Sequence, residues 1–153
     1  MQFQNPEILY FSSDREGGVG GKDIWFAIKD YDSKDLNFDI PVNLGETINT
    51  IGDEVSPFYQ SASRTMYFSS NGQVSIGGFD VYKAKGALNN WAQPEHLEAP
   101  INSSADDAYL VLREDLNSGF ISSNRTFDDN LTTSLSTIKE QYDTVDIYEF
   151  SSM

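Results

Sequence analysis

The chain has no cysteine among its 153 residues. That removes disulfide frameworks, thiolate metal sites, cysteine nucleophiles and a lipidated N-terminal cysteine. It has a single histidine, His96, so no second imidazole exists for a histidine metal pair or a proton relay. Basic residues are also scarce: 10 Lys and Arg stand against 24 Asp and Glu, a formal charge of −14. Nucleic acids and anionic membranes are held by clustered Lys and Arg, so neither is an expected partner. No apolar run approaches the ~18 residues a spanning helix needs, which predicts no direct membrane insertion. The opening residues, Met1-Gln2-Phe3-Gln4-Asn5-Pro6-Glu7, carry neither a basic nor an apolar leader segment. What the chain does have is enough apolar sequence, 39%, for one ordinary core, since a domain of this length buries ~70% of the surface its unfolded form exposes.

Internal repetition decides the fold class. Leu9-Tyr10-Phe11-Ser12-Ser13-Asp14-Arg15, followed by glycines and Asp23-Ile24-Trp25, recurs as Met66-Tyr67-Phe68-Ser69-Ser70-Asn71-Gly72 and Asp80-Val81-Tyr82, a step of 57 (10 to 67, 23 to 80). A third copy reads Gly119-Phe120-Ile121-Ser122-Ser123-Asn124-Arg125, with Asp146-Ile147-Tyr148 further on. Between these lies a second block. Pro41-Val42-Asn43-Leu44 with Ile48-Asn49-Thr50 and Asp53-Glu54 matches Pro94-Glu95-His96-Leu97 with Ile101-Asn102-Ser103 and Asp106-Asp107, at an offset of 53 (41 to 94, 53 to 106).

The apolar runs are short, aromatic or β-branched, and bounded by Gly, Asn, Asp and Ser, which predicts strands. The complete middle unit gives strands a (55–60), b (65–69), c (79–84) and d (91–97). The first unit supplies b, c and d. The third supplies a (108–113), b (119–122) and c (145–150). The expected fold is therefore all-β, a partial β-propeller of about ten strands in four-stranded antiparallel blades, ordered bcd, abcd, abc. The units span 1–49, 50–102 and 103–153. Two and a half blades leave unpaired edges at strand b of the first unit and strand c of the last. This predicts a longer natural chain, or chains that self-associate through the open blade edges.

Ser-Ser-Asp-Arg with Gly-Gly and Asp-Ile-Trp, then Asn-Leu-Gly with Ile-Asn-Thr and Asp-Glu, resembles the WD40-like propeller repeats of TolB-type periplasmic proteins. The likeness is nearest to those fused to OmpA-family domains in envelope proteins, some linked to type IX secretion. It covers nearly the whole chain except 126–144. The resemblance implies a non-enzymatic scaffold of the bacterial envelope, periplasmic or associated with the outer membrane, whose propeller binds other proteins without a cofactor. The chain departs from the family's pattern in that no OmpA-like domain follows and the third copy has lost its glycine loop.

Individual motifs support that reading. Asp23, Asp80 and Asp146 open strand c beside a glycine-rich turn, where a carboxylate accepts backbone N–H groups and braces the loop. The run Glu16-Gly17-Gly18-Val19-Gly20-Gly21-Lys22-Asp23 lacks the spacing of a phosphate-binding loop. Asp53-Glu54 and Asp106-Asp107 are the most enzyme-like features, but adjacent residues on a strand face opposite ways, so neither pair offers two carboxylates to one substrate. No complete calcium loop is present. His96 fills the slot of Asn43 and reads as an ordinary loop or strand-end residue. Trp25, Tyr82 and Tyr148 share one position and are expected in the core. In the inserted segment, Leu131, Leu135, Ile138 and Tyr142 have helical spacing, predicting a short amphipathic helix over 132–141. The long loops gather at one end, which is acidic through Glu46, Asp53, Glu54, Glu98, Asp106, Asp107, Asp128 and Asp129. A protein with a basic surface is the expected partner of that face. The competing readings are a glycan-binding or glycan-processing propeller and a calcium-stabilised structural repeat.

Overall fold

The structure, a computed structural model, describes residues 6–29, 37–113, 118–126, 135–138 and 145–151. Among these the chain is all-β, with no helix, and its strands form three antiparallel sheets, none of them closed. The first sheet contains β1 (Ile8–Ser13), β2 (Asp23–Ile28) and β3 (Val42–Asn43). The second contains β4 (Glu54–Gln60), β5 (Thr65–Ser70), β6 (Asp80–Ala87), β7 (Asn90–Trp91) and β8 (Glu95–His96). The third contains β9 (Asp107–Leu112), β10 (Ser118–Ser123), β11 (Leu135–Ile138) and β12 (Asp146–Ser151). The expected fourth strand of the middle unit is split: β7 and β8 both pair with β6, and Pro94, which has no N–H to donate, lies between them.

The repeat is visible in the register. Ser13 faces Asp23, Ser70 faces Asp80 and Ser123 faces Asp146 across the central hairpin of each sheet. Two bulges repeat as well. One extra residue is accommodated in β4 between Val55 and Phe58, and another in β9 between Ala108 and Val111. At each bulge one residue has positive φ, Ser56 at 50° and Tyr109 at 56°. Such values are uncommon outside glycine. The two bulges touch, because the Tyr109 N–H donates to Ser56 Oγ at 3.2 Å.

The sheets stack in chain order, and strand alternation gives each sheet two apolar faces. Ile24 and Phe26 of the first sheet pack with Met66, Phe68, Tyr82 and Ala84 of the second, joined by Leu44, Ile48 and Trp91. On the opposite face of the second sheet, Val81 packs with Leu110, Ile121, Tyr148 and Phe150 of the third. Trp25, Tyr82 and Tyr148 are all buried.

Two sequence expectations are corrected in the third sheet. Residues 135–138 form an edge strand rather than helix, with Leu135 opposite Phe150 and Ile138 opposite Ile147. The rest of 132–141 lies outside the described residues. Helical spacing of apolar residues is overridden here by the unpaired hydrogen-bonding edge of β12, which a short strand satisfies. The edge of the last unit is therefore covered, by a strand that precedes β12 in sequence but takes the side on which β3 and β8 pair in the other sheets. At the other extreme, among the described residues, β1 pairs only with β2.

Candidate functional site

The long loops meet at one end of the stack. Gly21 N–H donates to Gly52 O at 2.9 Å, and the Gln73 amide reaches Ile48 O at 3.4 Å. The approach is close enough to require glycine: a Cβ on Gly20 would collide with the Thr50 carbonyl, and one on Gly77 with that of Ala105.

The repeated aspartates hold these loops. Asp23 is fully buried; its carboxylate accepts the N–H of Val19 and, at 3.2 Å, that of Gly20. Asp80, also fully buried, accepts from Ile76 at 2.6 Å and Gly77 at 3.2 Å. Asp146 opens β12 opposite Ser123, and the loop preceding it lies outside the described residues. A buried carboxylate beside several oriented N–H donors is stabilised by charge-assisted hydrogen bonds.

Behind each aspartate is a second device, found in the repeated Ile-Asn-Thr and Ile-Asn-Ser segments. Asn49 accepts the Ile24 N–H at 2.8 Å and returns a bond to Ile24 O at 3.0 Å. Asn102 does the same to Val81, at 2.7 and 2.9 Å. Asn43 bridges Asn49 to Asp23, donating to the carboxylate at 2.7 Å. In the second unit His96 occupies that slot. Its Nε2 stands 2.8 Å from Asp80 Oδ2 and its ring meets Tyr82 edge-on. Asn102 Nδ2 stands 3.1 Å from His96 Nε2, but its two protons have shorter contacts with Val81 O and Leu97 O. The His96–Asp80 contact is therefore best satisfied with the proton on Nε2, donated to the carboxylate. His96 ends β8, in keeping with the expected loop or strand-end position, and is there the partner of a buried acid.

The paired acids face inward to a degree that their number does not suggest. Glu54 is fully buried and accepts from Thr50 N–H at 2.7 Å, Thr50 Oγ1 at 2.6 Å and Ser70 Oγ at 2.6 Å. Asp107, equally buried, accepts from Ser103 N–H at 2.6 Å and Ser103 Oγ at 2.9 Å, and forms an ion pair with Arg125. Glu54 and Asp107 therefore do not belong to an accessible acidic face. Asp53 and Asp106 stitch neighbouring sheets. Asp53 accepts the Lys22 N–H at 2.7 Å and donates its own N–H to Asn71; Asp106 accepts the Phe79 N–H at 3.0 Å and donates to Asn124. Of the remaining acids assigned to that face, Glu46 and Glu98 are exposed, as is Asp106, whereas Asp128 and Asp129 lie outside the described residues.

Arg125 ties the third sheet to the segment that leads into it from the second. It donates to Pro100 O at 2.8 Å and to Ile101 O, and its guanidinium lies over the Tyr148 ring. Burial, with Asp80 nearby, pushes the Tyr82 phenol up to about 12, and burial with Asp146 raises that of Tyr148. Their hydroxyls donate to Val74 O and Arg125 O. Among the described residues no group of three His, Asp or Glu side chains could hold a metal ion, and every buried side-chain polar atom has a partner.

This network leaves apolar side chains at the loop tips. Ile51 is 88% exposed and Val74 93%, accompanied by Ile76 and Val19. Each tip is clamped through its backbone or its neighbour. Val19 and Ile76 are held by Asp23 and Asp80, Val74 by the Tyr82 hydroxyl, and Ile51 by the Thr50 and Gly52 bonds on either side. Comparisons with family models, with curated proteins and with solved structures find no match.

Proposed function

We propose that this chain is a non-enzymatic protein-interaction module of a bacterial envelope assembly, built on WD40-like propeller repeats and binding through its long-loop end. The observation that carries the reading is the set of clamped apolar tips, Val19, Ile51, Val74 and Ile76, at the end where Asp14, Glu16, Glu46, Glu98 and Asp106 are exposed. Exposed apolar residues scattered singly need no explanation, but four on loops braced by buried carboxylates are arranged for contact. Rigid loops lower the entropy lost when a partner is ordered against them. The acidic surroundings and the net charge of −14 favour a basic partner, with association steered by charge and weakened by salt. The stacked antiparallel sheets support the propeller reading, and the repeat motifs support the envelope setting.

The test is cross-linking of the chain in envelope extracts, comparing Ile51→Asp/Val74→Asp with a control altered at Arg64 and Lys85 on the opposite end. Loss of a specific cross-linked product in the first variant and its retention in the second is the expected result. Equal loss in both, or none in either, would remove the loop end from the proposal.

A further inference from the structure

One interface is built twice inside this chain, and its two unmatched halves are left at opposite ends. The half contributed by a preceding sheet consists of Tyr10 and Ile24 at the first junction and Tyr67 and Val81 at the second. The half contributed by a following sheet consists of Met66, Phe68 and Tyr82 at the first, and Ile121 and Tyr148 at the second. By the repeat, the third sheet carries its own copy of the preceding half in Phe120 and Ile147. The first sheet carries a copy of the following half in Leu9, Phe11 and Trp25.

Exposure reports what is missing. Ile24 and Val81 are 0% exposed, whereas their counterpart Ile147 is 48% exposed, with Val111, opposite Phe120, at 49%. At the far end Leu9 is 45% exposed although its counterpart Met66 is fully buried. Arg15 lies over the Phe11 and Trp25 rings as Arg125 lies over Tyr148, but Arg125 also reaches across a junction to Pro100 and Ile101.

We propose that two copies of this chain associate head to tail, the Phe120–Ile147 face of one stacking on the Leu9–Phe11 face of the next, where Trp25 is already buried beneath Arg15. Continuity with the two internal junctions selects this occupant, because a second copy presents the same residue positions that already cover the equivalent face twice. Such a contact is heterologous, so it adds copies in the same sense until the rotation per copy closes a ring, and extends further only where the rotation does not close. It uses the sheet faces and not the loop tips, and so stands apart from the binding site proposed above.

Analytical ultracentrifugation of the 153-residue chain over a concentration series tests it, with Ile147→Glu and Leu9→Glu as variants. The wild-type mass is expected to rise with concentration, and each variant alone is expected to sediment as a single chain. An equimolar mixture of the two is expected to form a one-to-one pair that does not grow, because each supplies the half the other retains. Association should strengthen with salt, since both copies carry −14 and screening reduces their repulsion. Thermal melts check the fold; where a variant melts early, Val111→Glu replaces Ile147→Glu and Phe11→Ser replaces Leu9→Glu. A wild-type chain that remains monomeric overturns the proposal. So does a mixture that fails to pair, a Leu9→Glu chain that associates like wild type, or association that weakens with salt.

Discussion

The two junctions between sheets solve the same problem with different chemistry. At the first, Glu54 is buried among neutral donors, Thr50 and Ser70, and Gly72 follows nearby in the chain. At the second, the equivalent acid is Asp107, one methylene shorter, and Arg125 stands at the position of Gly72. Ser70 and Ser123 both accept the backbone N–H two residues on, but Ser123 also accepts from Arg125 Nε, whereas Ser70 donates to Glu54. The shorter carboxylate is thus matched by a long cation that comes to it, while the longer one reaches its own hydroxyl. What is kept between the units is a satisfied buried acid at the entrance to the first strand of the sheet. The identity of its partner varies.

The difference predicts unequal sensitivity, and the largest effect is expected at Arg125. Arg125→Ala would strip a fully buried Asp107 of its counter-ion. Breaking a buried pair from one side costs about 3–5 kcal/mol. Ser70→Ala removes one neutral donor from Glu54, which keeps both bonds from Thr50, and should cost about 1–3 kcal/mol. Urea unfolding of the two variants measures both values. Equal losses would mean that the ion pair adds nothing beyond a hydrogen bond. The conversion Asp107→Glu with Arg125→Gly, which rebuilds the first junction's residues at the second, should recover part of the Arg125→Ala loss.

How far these features could be read from the sequence follows from what each depends on. β5 and β6 are legible because Tyr67, Phe68, Val81 and Tyr82 are strand formers bounded by glycine turns, and because the motif recurs. The loop-holding geometry of Asp23 and Asp80 follows from a carboxylate next to several free N–H groups. β11 is not legible, since Leu135 and Ile138 fit a helical period and only the open edge of β12 makes them a strand. The bulges at Ser56 and Tyr109 carry no shared residue type to announce positive φ. The inward turn of Glu54 and Asp107 is hidden by the chain's large acidic excess, which suggests solvent for any acid. The matching Thr50 and Ser103, each four residues earlier, are the signal that could have located their partners.

Below the junction acids come the loop aspartates. Asp80→Ala removes the charged acceptor of the part-buried Ile76 and Gly77 N–H groups and should cost about 1–3 kcal/mol. Asp23→Ala should fall in the same range, measured by thermal or urea melts. A variant that kept its stability but lost a partner would move the residue from bracing to recognition.

The alkaline limb probes the same loops from the other side. The Tyr82 phenol is raised from 10 to about 12 in the folded chain, first by burial and then by Asp80. The unfolded chain therefore releases this proton at lower pH than the folded one. The associated stability is complete below pH ~10 and is lost as pH rises towards about 12. Tyr82→Phe should flatten that loss in melts taken across the interval, while leaving Val74 O without its donor at every pH. A slope unchanged by the substitution would assign the alkaline transition to other groups.

The smallest effect is expected where the two units already demonstrate that either residue works. Asn43 and His96 occupy the same slot and donate to Asp23 and Asp80 at 2.7 and 2.8 Å. His96→Asn would place the first unit's donor in the second, keeping a hydrogen bond to the buried carboxylate while losing the ring's edge contact with Tyr82. A loss of about 0.5–1.5 kcal/mol is expected, since aromatic contacts contribute that much beyond buried area. His96→Ala removes the donor as well and should cost more, by about 1 kcal/mol for the missing bond. Should the asparagine variant be as damaged as the alanine variant, the two slots would not be interchangeable. The second unit would then depend on the imidazole itself, and the equivalence of the two aspartate-braced loops would fail at this position.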